Sequence, residues 1–250
     1  MTAAYFAYLA GIAIARRRWR PAVLSLAALA ALAGIGMPSV MPLVSLLVGY
    51  WLPAMLVREP HVRLERRLLD VDHTLFGPHG LEGFQGSAPR MLIEYLELAY
   101  LLCYAVVPAG FASLLLAGYG ADTLATFWSI VLLSAFICYG LLPWLPTRAP
   151  RAIEPPLPAT RSSIRRLNLA VLNRASVQWN TFPSAHTAAS LATALAVGIH
   201  MPLAGVVFGV VAVSIAAGSV AGRYHYAADA IIGAAVAVLA FVTVTAARGL

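Results

Sequence analysis

Arg223-Tyr224-His225-Tyr226-Ala227-Ala228-Asp229 stands at the start of a long apolar run, residues 227–246. His225 and Asp229 are four residues apart, so a helix that already included both would place them on one face. Asp229 would then accept the Nδ1 proton of His225 and leave Nε2 free to act as a nucleophile. Because an ionisable residue at the edge of a membrane span is costly, its default interpretation is functional.

A second histidine repeats this arrangement upstream. Thr181-Phe182-Pro183-Ser184-Ala185-His186 opens the apolar run 184–200, and the long basic loop 143–180 precedes it. The loop before residue 184 and the loop after residue 219 are separated by two apolar runs, 184–200 and 202–219. If both runs span the membrane, the two loops lie on the same side. We therefore expect both histidine motifs and the basic loop to converge at one membrane face.

These motifs resemble the type 2 phosphatidic acid phosphatase superfamily over about residues 90–246. Pro183-Ser184-x-His186 is similar to the second signature of that superfamily, and His225-x-x-x-Asp229 is similar to the third. The third signature usually has Ser-Arg ahead of its histidine, with five residues between. Here Ser219 stands six residues before His225, and the nearest arginine, Arg223, is only two residues before it.

A narrower resemblance follows from these departures. The chain has no lysine, so the usual lysine-containing first signature is absent, and residues 146–151 (Pro-Thr-Arg-Ala-Pro-Arg) stand in its place. This segment and the Arg-x-His-Tyr-x-x-Asp form are similar to the inositolphosphotransferase and aureobasidin-resistance branch, which itself resembles sphingomyelin synthases. The resemblance implies His225 as nucleophile, Asp229 as the group that fixes its tautomer, and His186 as proton donor and acceptor.

The predicted phosphate ligands are arginine side chains and the N-terminus of a helix. Arg223 and Arg151, and also Arg148, would pair with phosphate oxygens in fork geometry. Ser184 and the free N–H groups at the start of its helix form an anion site. This chemistry requires no metal and no cofactor. A zinc ion held by His186, His225 and Asp229 is an alternative, although no cysteine ligand accompanies them.

Composition predicts an all-α, polytopic transmembrane helical bundle. The 250 residues are 61% hydrophobic and only 11% charged, whereas soluble domains carry roughly 25% charged residues. We expect six core spans and an extra N-terminal helix, residues 2–15, which is short of the ~20 residues that a span needs. The predicted organisation is N-terminal membrane helices (1–57), an amphipathic interfacial segment (58–90) and a catalytic membrane domain (91–250). The two cysteines, Cys103 and Cys138, are expected to be core residues.

Two segments have an amphipathic helical pattern. In 58–90 the apolar face is formed by Leu64, Leu68, Val71 and Leu75, which indicates a helix lying on the membrane surface. In 143–180 a shorter helix is expected to present arginines, including Arg161, Arg165, Arg166 and Arg174, as a solvated basic face. Glu94 and Glu97 are either carboxylates favoured by the start of a helix, which is the preferred interpretation, or part of an active-site wall.

The function that fits is cleavage of a lipid phosphomonoester or pyrophosphate by an integral, multi-pass membrane enzyme. The expected partners are an anionic lipid phosphate and membrane lipid, not nucleic acid. The alternatives are a lipid phospho-headgroup transferase, for which aromatics such as Trp144, Phe182 and Tyr224 would line an acceptor pocket, and a catalytically silent transporter or scaffold. If all apolar runs span, 16 of the 17 arginines lie on one side, which the positive-inside rule makes cytoplasmic. The resemblance implies the opposite side, since many members of the superfamily work on the extracytoplasmic or lumenal face, so both orientations stay open. We expect a bacterial inner membrane as the location.

Overall fold

The computed structural model describes residues 1–35, 41–77, 79–154, 162–179 and 181–250, and within these ranges the regular structure is helical. The predicted all-α class is therefore confirmed. In chain order the α-helices are α1 (Thr2–Ala15), α2 (Trp19–Ile35), α3 (Met41–Trp51), α4 (Val62–Phe76), α5 (Gly80–Ser87), α6 (Arg90–Leu101), α7 (Val106–Leu116), α8 (Ala121–Leu141), α9 (Ser163–Ala175), α10 (Ala185–Gly198), α11 (Pro202–Ala221) and α12 (Ala227–Arg248).

Helix α10 lies at the centre of the bundle, where it packs against α7, α8, α11 and α12. Its sequence is rich in alanine, and Ala188, Ala192 and Val197 are completely buried. Small side chains let helix backbones approach closely, which stabilises membrane bundles where lipid supplies no hydrophobic driving force between helices. This packing brings the start of α10, which carries His186, next to the start of α12.

Two glycines mark close approaches near these helix ends. A Cβ atom at Gly233 of α12 would collide with the carbonyl oxygen of Ser184, just before α10. A Cβ atom at Gly218 of α11 would collide with the carbonyl oxygen of Leu96 on α6. Any larger side chain would push these helices apart, so Gly233 sets the distance between the two elements that carry the histidine motifs, and Gly218 sets the distance between α11 and α6.

In the part of the chain that the structure describes, three helices are long and apolar enough to cross a membrane: α8, α11 and α12. The predicted span 91–116 is instead a broken helix, in which α6 and α7 meet at an angle of 63°. Pro108 is the reason, because it has no N–H with which to continue the helical bonding across the break at Leu102–Tyr104. Helices α1, α2, α3 and α10 are apolar but shorter, so six core spans remain a prediction.

The N-terminal helices belong to the same hydrophobic core as the rest of the bundle. The ring of Tyr5 on α1 stacks on Phe136 of α8 at a centroid distance of 4.1 Å. The Tyr5 hydroxyl donates to the carbonyl oxygen of Gly49 at 2.8 Å, and that of Tyr8 donates to Gly140 at 2.7 Å. Helices α1 and α3 therefore pack directly against α8 of the predicted catalytic domain.

The segment 58–90 forms two helices, α4 and α5, and α4 is rotated from the predicted orientation. Its buried residues are Glu65, Leu68 and Asp72, whereas Val71 and Leu75 are exposed on the outside of the bundle. Val71 and Leu75 therefore face outward, where a membrane surface would lie, whereas Leu68 of the same apolar stripe and two carboxylates face the protein. Gly77, with φ of +79°, ends α4. Pro78, which was also expected to end this helix, lies outside the described residues.

Helix α9 has the predicted basic face only in part. Arg166 and Arg174 are exposed, as expected for a solvated face. Arg165 is buried, with 8% of its surface exposed, so the prediction was wrong for this residue. Its guanidinium points to a carboxylate on α6 instead of to solvent. Arg161 lies outside the described residues.

The contact between α12 and the start of α10 gives a direct prediction. Gly233→Ala is expected to destabilise the protein by about 1–3 kcal/mol, because the added methyl group would overpack against a backbone oxygen. The measurement is thermal unfolding of the purified protein in detergent. Gly209→Ala on α11 is the matched control, since an added Cβ there has no neighbour within 4 Å. Equal melting temperatures for the two variants would contradict the packing.

Candidate active site

His225 lies in the turn between α11 and α12, two residues before α12 begins. The backbone N–H groups of Tyr224 and His225 both donate to the carbonyl oxygen of Ser219, at 2.8 and 3.0 Å. Nδ1 of His225 is 3.0 Å from the carbonyl oxygen of Thr181 and 3.3 Å from Oδ2 of Asp229. Both neighbours are acceptors, so Nδ1 carries the proton and Nε2 has the free lone pair.

Asp229 is the third residue of α12, and its position follows from helix capping. Its Oδ2 also accepts the backbone N–H of Tyr226 at 3.0 Å, which satisfies a free donor at the helix start. Asp229 is completely buried. The sequence predicted the His225–Asp229 pairing from a shared helix face, whereas the structure brings the two side chains together across the helix start and adds the Thr181 carbonyl.

His186 is the second residue of α10 and faces His225. The two ring centres are 5.7 Å apart, with the ring planes at 84°. Tyr100 and Tyr104 contact the His186 ring edge-on, at 5.9 and 5.7 Å. The structure therefore places the two imidazoles within reach of a single phosphoryl group, as the predicted convergence of the two motifs requires.

Ser184 begins α10 and is completely buried. Its Oγ accepts from the backbone N–H of Thr187 at 3.3 Å, and its own N–H donates to the carbonyl oxygen of Asp229 at 3.0 Å. The structure thus gives Ser184 the role of a helix N-cap that joins α10 to α12. Its contact with phosphate stays a prediction.

Arg151 is the predicted phosphate ligand that the structure leaves most available. Its guanidinium carbon lies 5.3 Å from the centre of the Tyr224 ring. Among the described residues this guanidinium has no hydrogen-bond or ion-pair partner. Its backbone N–H donates to the carbonyl oxygen of Arg223, which ties residue 151 to the turn that carries His225.

The other two predicted phosphate ligands have carboxylate partners. Arg148 forms a fork with Glu65 of α4, in which Nε donates to Oε1 at 3.1 Å and NH2 donates to Oε2 at 2.8 Å. The structure therefore directs Arg148 toward α4, and a contact with phosphate would require this fork to open. Arg223 has Nε 3.0 Å from Oε2 of Glu154, whose Oε1 is 3.0 Å from Nε2 of His73.

The chain matches the family model described as the PAP2 superfamily over residues 66–243. It belongs to the PAP2 superfamily. A search of the curated proteins and one of the solved structures found no match. The match begins inside α4, so the superfamily region extends further toward the N-terminus than the motif resemblance indicated. The inositolphosphotransferase-like branch stays a prediction.

Burial sets the protonation of this PAP2 site. Burial lowers the pKa of His225 to about 4; the Thr181 carbonyl opposes this shift, and the positive charge of Arg151 adds to it. The imidazole is therefore neutral at neutral pH, as a nucleophile must be. In the described part of the chain, no group of three or more His, Cys, Asp or Glu side chains is arranged to hold a metal ion.

The sequence interpretation missed the contribution of α4 to this site. Oδ1 of Asp72 accepts the backbone N–H of Ala227 at 2.9 Å, so a residue of α4 caps the first turn of α12. Burial raises the pKa of Asp72 to about 6, although the Ala227 N–H lowers it. Glu65 and Asp72 are seven residues apart on one helix face, which was the available signal, but neither was named as a site residue.

The preferred interpretation of Glu97 was also wrong. Glu97 lies two turns into α6, outside its first turn, and only 1% of its surface is exposed. It accepts hydrogen bonds from Arg165, Asn168 and Tyr224. Glu94, one turn earlier, accepts from the hydroxyl of Ser162 at 2.8 Å. Glu97 is therefore a buried acceptor behind Tyr224, the residue next to His225, and its role in an active-site wall stays a prediction.

The raised pKa of Asp72 predicts how stability depends on pH. Since the folded protein binds this proton more tightly than the unfolded chain, the contribution to stability is present at low pH and is lost as pH rises through about 6. Asp72→Asn keeps an acceptor for Ala227 but does not titrate. The melting temperature of the wild type relative to Asp72→Asn should therefore be higher at pH 5 than at pH 8.

The matched control for this measurement is Asp70→Asn, an exposed carboxylate on the same helix. The difference in melting temperature between Asp70→Asn and the wild type should be the same at pH 5 and at pH 8. If the curves of the wild type and Asp72→Asn run parallel from pH 5 to pH 8, the proton is not bound at Asp72.

Proposed function

We propose that this chain is a membrane enzyme that cleaves a lipid phosphate, either a phosphomonoester or a pyrophosphate, through a phosphohistidine intermediate. Membership of the PAP2 superfamily supports a phosphatase-type function in general. The observation that carries the proposal is the facing pair of imidazoles, His186 and His225, with Nδ1 of His225 held by two acceptors. Such a pair supplies both a nucleophile and a proton-transfer group.

The reaction proceeds in two displacements. Nε2 of His225 attacks phosphorus, the bond from phosphorus to the lipid oxygen breaks, and His186 in its protonated form gives its proton to that oxygen. Water then enters where the lipid alcohol left, and His186 takes a proton from it as its oxygen attacks phosphorus. The bond between phosphorus and Nε2 breaks, which releases inorganic phosphate and restores neutral His225. Asp229 and the Thr181 carbonyl stabilise the ring of His225 in the required tautomer throughout.

Positive charge beside the imidazoles supports the same reaction. Charge on the transferred phosphoryl group develops on its equatorial oxygens, where fixed cations and N–H groups stabilise the transition state. Arg151 is the available cation next to His225. The first N–H groups of α10 lie beside His186 and add a site for an anion.

Two adjoining cavities support a lipid as the substrate. A groove of about 570 Å³ runs between α5, α11 and α12 and is lined by apolar side chains, including Phe84, Val213 and Ile231. A second cavity of about 320 Å³ contains polar groups, including Asp72, His73, Glu154 and Arg223. The two cavities share Phe76, Gly80 and Leu81. Neither His186 nor His225 lines either cavity, so the support they give is for a hydrocarbon chain beside the site: the apolar groove fits such a chain better than it fits a small soluble ester.

The orientation in the membrane is part of the proposal. The three apolar helices and the family match are compatible with an integral membrane protein. Arginines on the active-site side that are exposed, such as Arg17, Arg63 and Arg166, have no role in the site. These exposed arginines therefore indicate the orientation of the chain in the membrane better than the ion-paired arginines do. By the positive-inside rule, the side that carries them faces the cytoplasm. A bacterial inner membrane would be the location.

Transfer of the phospho-headgroup to an alcohol is the second candidate function. The carboxylates of Asp72, Glu82 and Glu154 line the polar cavity, and carboxylates accept hydrogen bonds from hydroxyl groups. Water and an alcohol can use the same pair of histidines. A transporter is less favoured, because transporters place ionisable groups near the bilayer midplane, whereas here they lie at the helix ends.

The nucleophile assignment gives the first functional prediction. His225→Ala should abolish turnover of lipid phosphates without unfolding the protein. Asp229→Asn should retain more activity than His225→Ala, because the Thr181 carbonyl still orients the ring. Phosphate release from a panel of lipid phosphates is the measurement, with EDTA and vanadate as additions. We expect inhibition by vanadate and none by EDTA; full activity of a folded His225→Ala protein would overturn the assignment.

Hydrolysis and transfer are separated by their products. A labelled lipid phosphate is supplied with and without inositol or a lipid alcohol, and the products are resolved. We expect phosphate release that no acceptor changes, since water needs no dedicated site. A new phosphodiester that forms faster than phosphate is released would instead identify the chain as a transferase.

A further inference from the structure

A buried cluster around Tyr224, the residue next to His225, is not explained by the reaction itself. We call Glu97, Arg165, Asn168, Tyr100 and Tyr224 the Tyr224 cluster. The Tyr224 hydroxyl donates to Oε2 of Glu97 at 2.6 Å, and its ring stacks on Tyr100 at a centroid distance of 4.2 Å. The exposed surface of each member is 8% or less. Two residues of α6 therefore hold Tyr224 in place: Glu97 binds its hydroxyl group, and Tyr100 stacks on its ring.

Glu97 is a negative charge buried at a site that must bind an anion. A carboxylate near a phosphate-binding centre opposes binding unless its charge is matched. Here NH1 of Arg165 donates to Oε1 of Glu97 at 2.6 Å, and Asn168 donates to Oε2 at 2.8 Å. All of the hydrogen bonds to Glu97 thus come from α9 and the Tyr224 turn, and its charge is matched by one guanidinium.

Two guanidinium groups, those of Arg165 and Arg151, lie near the ring of Tyr224. The guanidinium carbon of Arg165 is 5.6 Å from the ring centre, and that of Arg151 is 5.3 Å from it. Arg165 is matched by Glu97, whereas Arg151 has no ion-pair partner among the described residues. The net charge of Glu97, Arg165 and Arg151 together is therefore +1, and the unmatched positive charge is that of Arg151.

We propose that Glu97 is a positioning residue for phosphate binding. It neutralises Arg165 and holds the ring on which Arg151 rests, so the phosphate binds Arg151 beside His225 and not Arg165. The proposal deepens the proposed function and rests on it for the identity of the substrate. It also explains why a glutamate, an asparagine and two tyrosines are buried together behind a basic site.

The proposal is tested by the dependence of phosphate binding on Arg151. Isothermal titration calorimetry with inorganic phosphate is performed on the detergent-purified wild type, Glu97→Gln and Glu97→Gln/Arg165→Gln, each with and without Arg151→Gln. Glutamine keeps the size of glutamate and removes only its charge. The kcat and KM for a lipid phosphate are measured on the same proteins.

In the wild type, Arg151→Gln should weaken phosphate binding by about tenfold or more, or about 1.4 kcal/mol. In Glu97→Gln, phosphate should still bind, but Arg151→Gln should change its affinity little. The reason is that Arg165 then lacks its carboxylate partner and attracts the anion itself. The kcat of that variant should fall on the order of 100-fold, since the phosphate is misplaced relative to His225. The double variant removes both charges, so the dependence on Arg151 should return and kcat should recover about tenfold.

A purely structural role for Glu97 predicts a different pattern. Glu97→Gln would then lower the melting temperature but leave the effect of Arg151→Gln on phosphate binding unchanged, and this result would overturn the proposal. If Glu97→Gln does not fold, Tyr224→Phe removes one hydroxyl and keeps the ring. It should weaken phosphate binding and lower kcat at an unchanged melting temperature, and wild-type values for both would also overturn the proposal.

Glu94→Gln is the matched control, one turn earlier on α6 and bonded to Ser162 instead of Tyr224. It should leave phosphate binding and its dependence on Arg151 unchanged. If the wild type turns over no lipid phosphate, the proposed function fails, but the phosphate titrations still decide the role of Glu97.

Discussion

The structure depends on the junction at which the starts of α10 and α12 hold each other. The backbone N–H of Ser184 donates to the carbonyl oxygen of Asp229, and the carbonyl oxygen of Thr181 accepts from Nδ1 of His225. Gly233 allows this approach, because any side chain there would meet Ser184. The same contacts that pack the two helices set the distance between His186 and His225. The fold and the candidate catalytic geometry therefore have one physical origin, and neither can change without the other.

The sequence predicted that the two histidine motifs meet, but not the contacts that join the two helix starts. The spacing of His225 and Asp229 was enough to pair them, and the alternation of apolar runs was enough to bring His186 to the same face. The Thr181 carbonyl was not predictable, since every residue has a backbone oxygen and no pattern marks which one is used. The broken helix between α6 and α7 was marked by Pro108. The apolar character of residues 91–116 concealed that signal.

The arginines show where sequence reasoning stops. A motif indicates that a guanidinium is near the site, but not whether it is already paired. Arg148 and Arg165 are matched by Glu65 and Glu97, which are 83 and 68 residues away in the chain, and Arg223 is matched by Glu154. These partners lie on different elements, so only the tertiary structure identifies them. Arg151 was one of three arginine candidates in the sequence, of which Arg148 was the least favoured, and the pairing of the other two distinguishes it.

Helix α4 is where the membrane surface and the site are physically connected. Its outward side carries Val71 and Leu75, while its inward side uses Asp72 to cap α12 and Glu65 to hold Arg148. An interfacial helix that only anchored the chain would have no reason to bury two carboxylates. Because Asp72 contacts the residue two positions after His225, a shift of α4 at the membrane surface would be transmitted to the turn that carries this histidine. The start of the family match within α4 agrees with this connection, because it makes most of the helix part of the superfamily region.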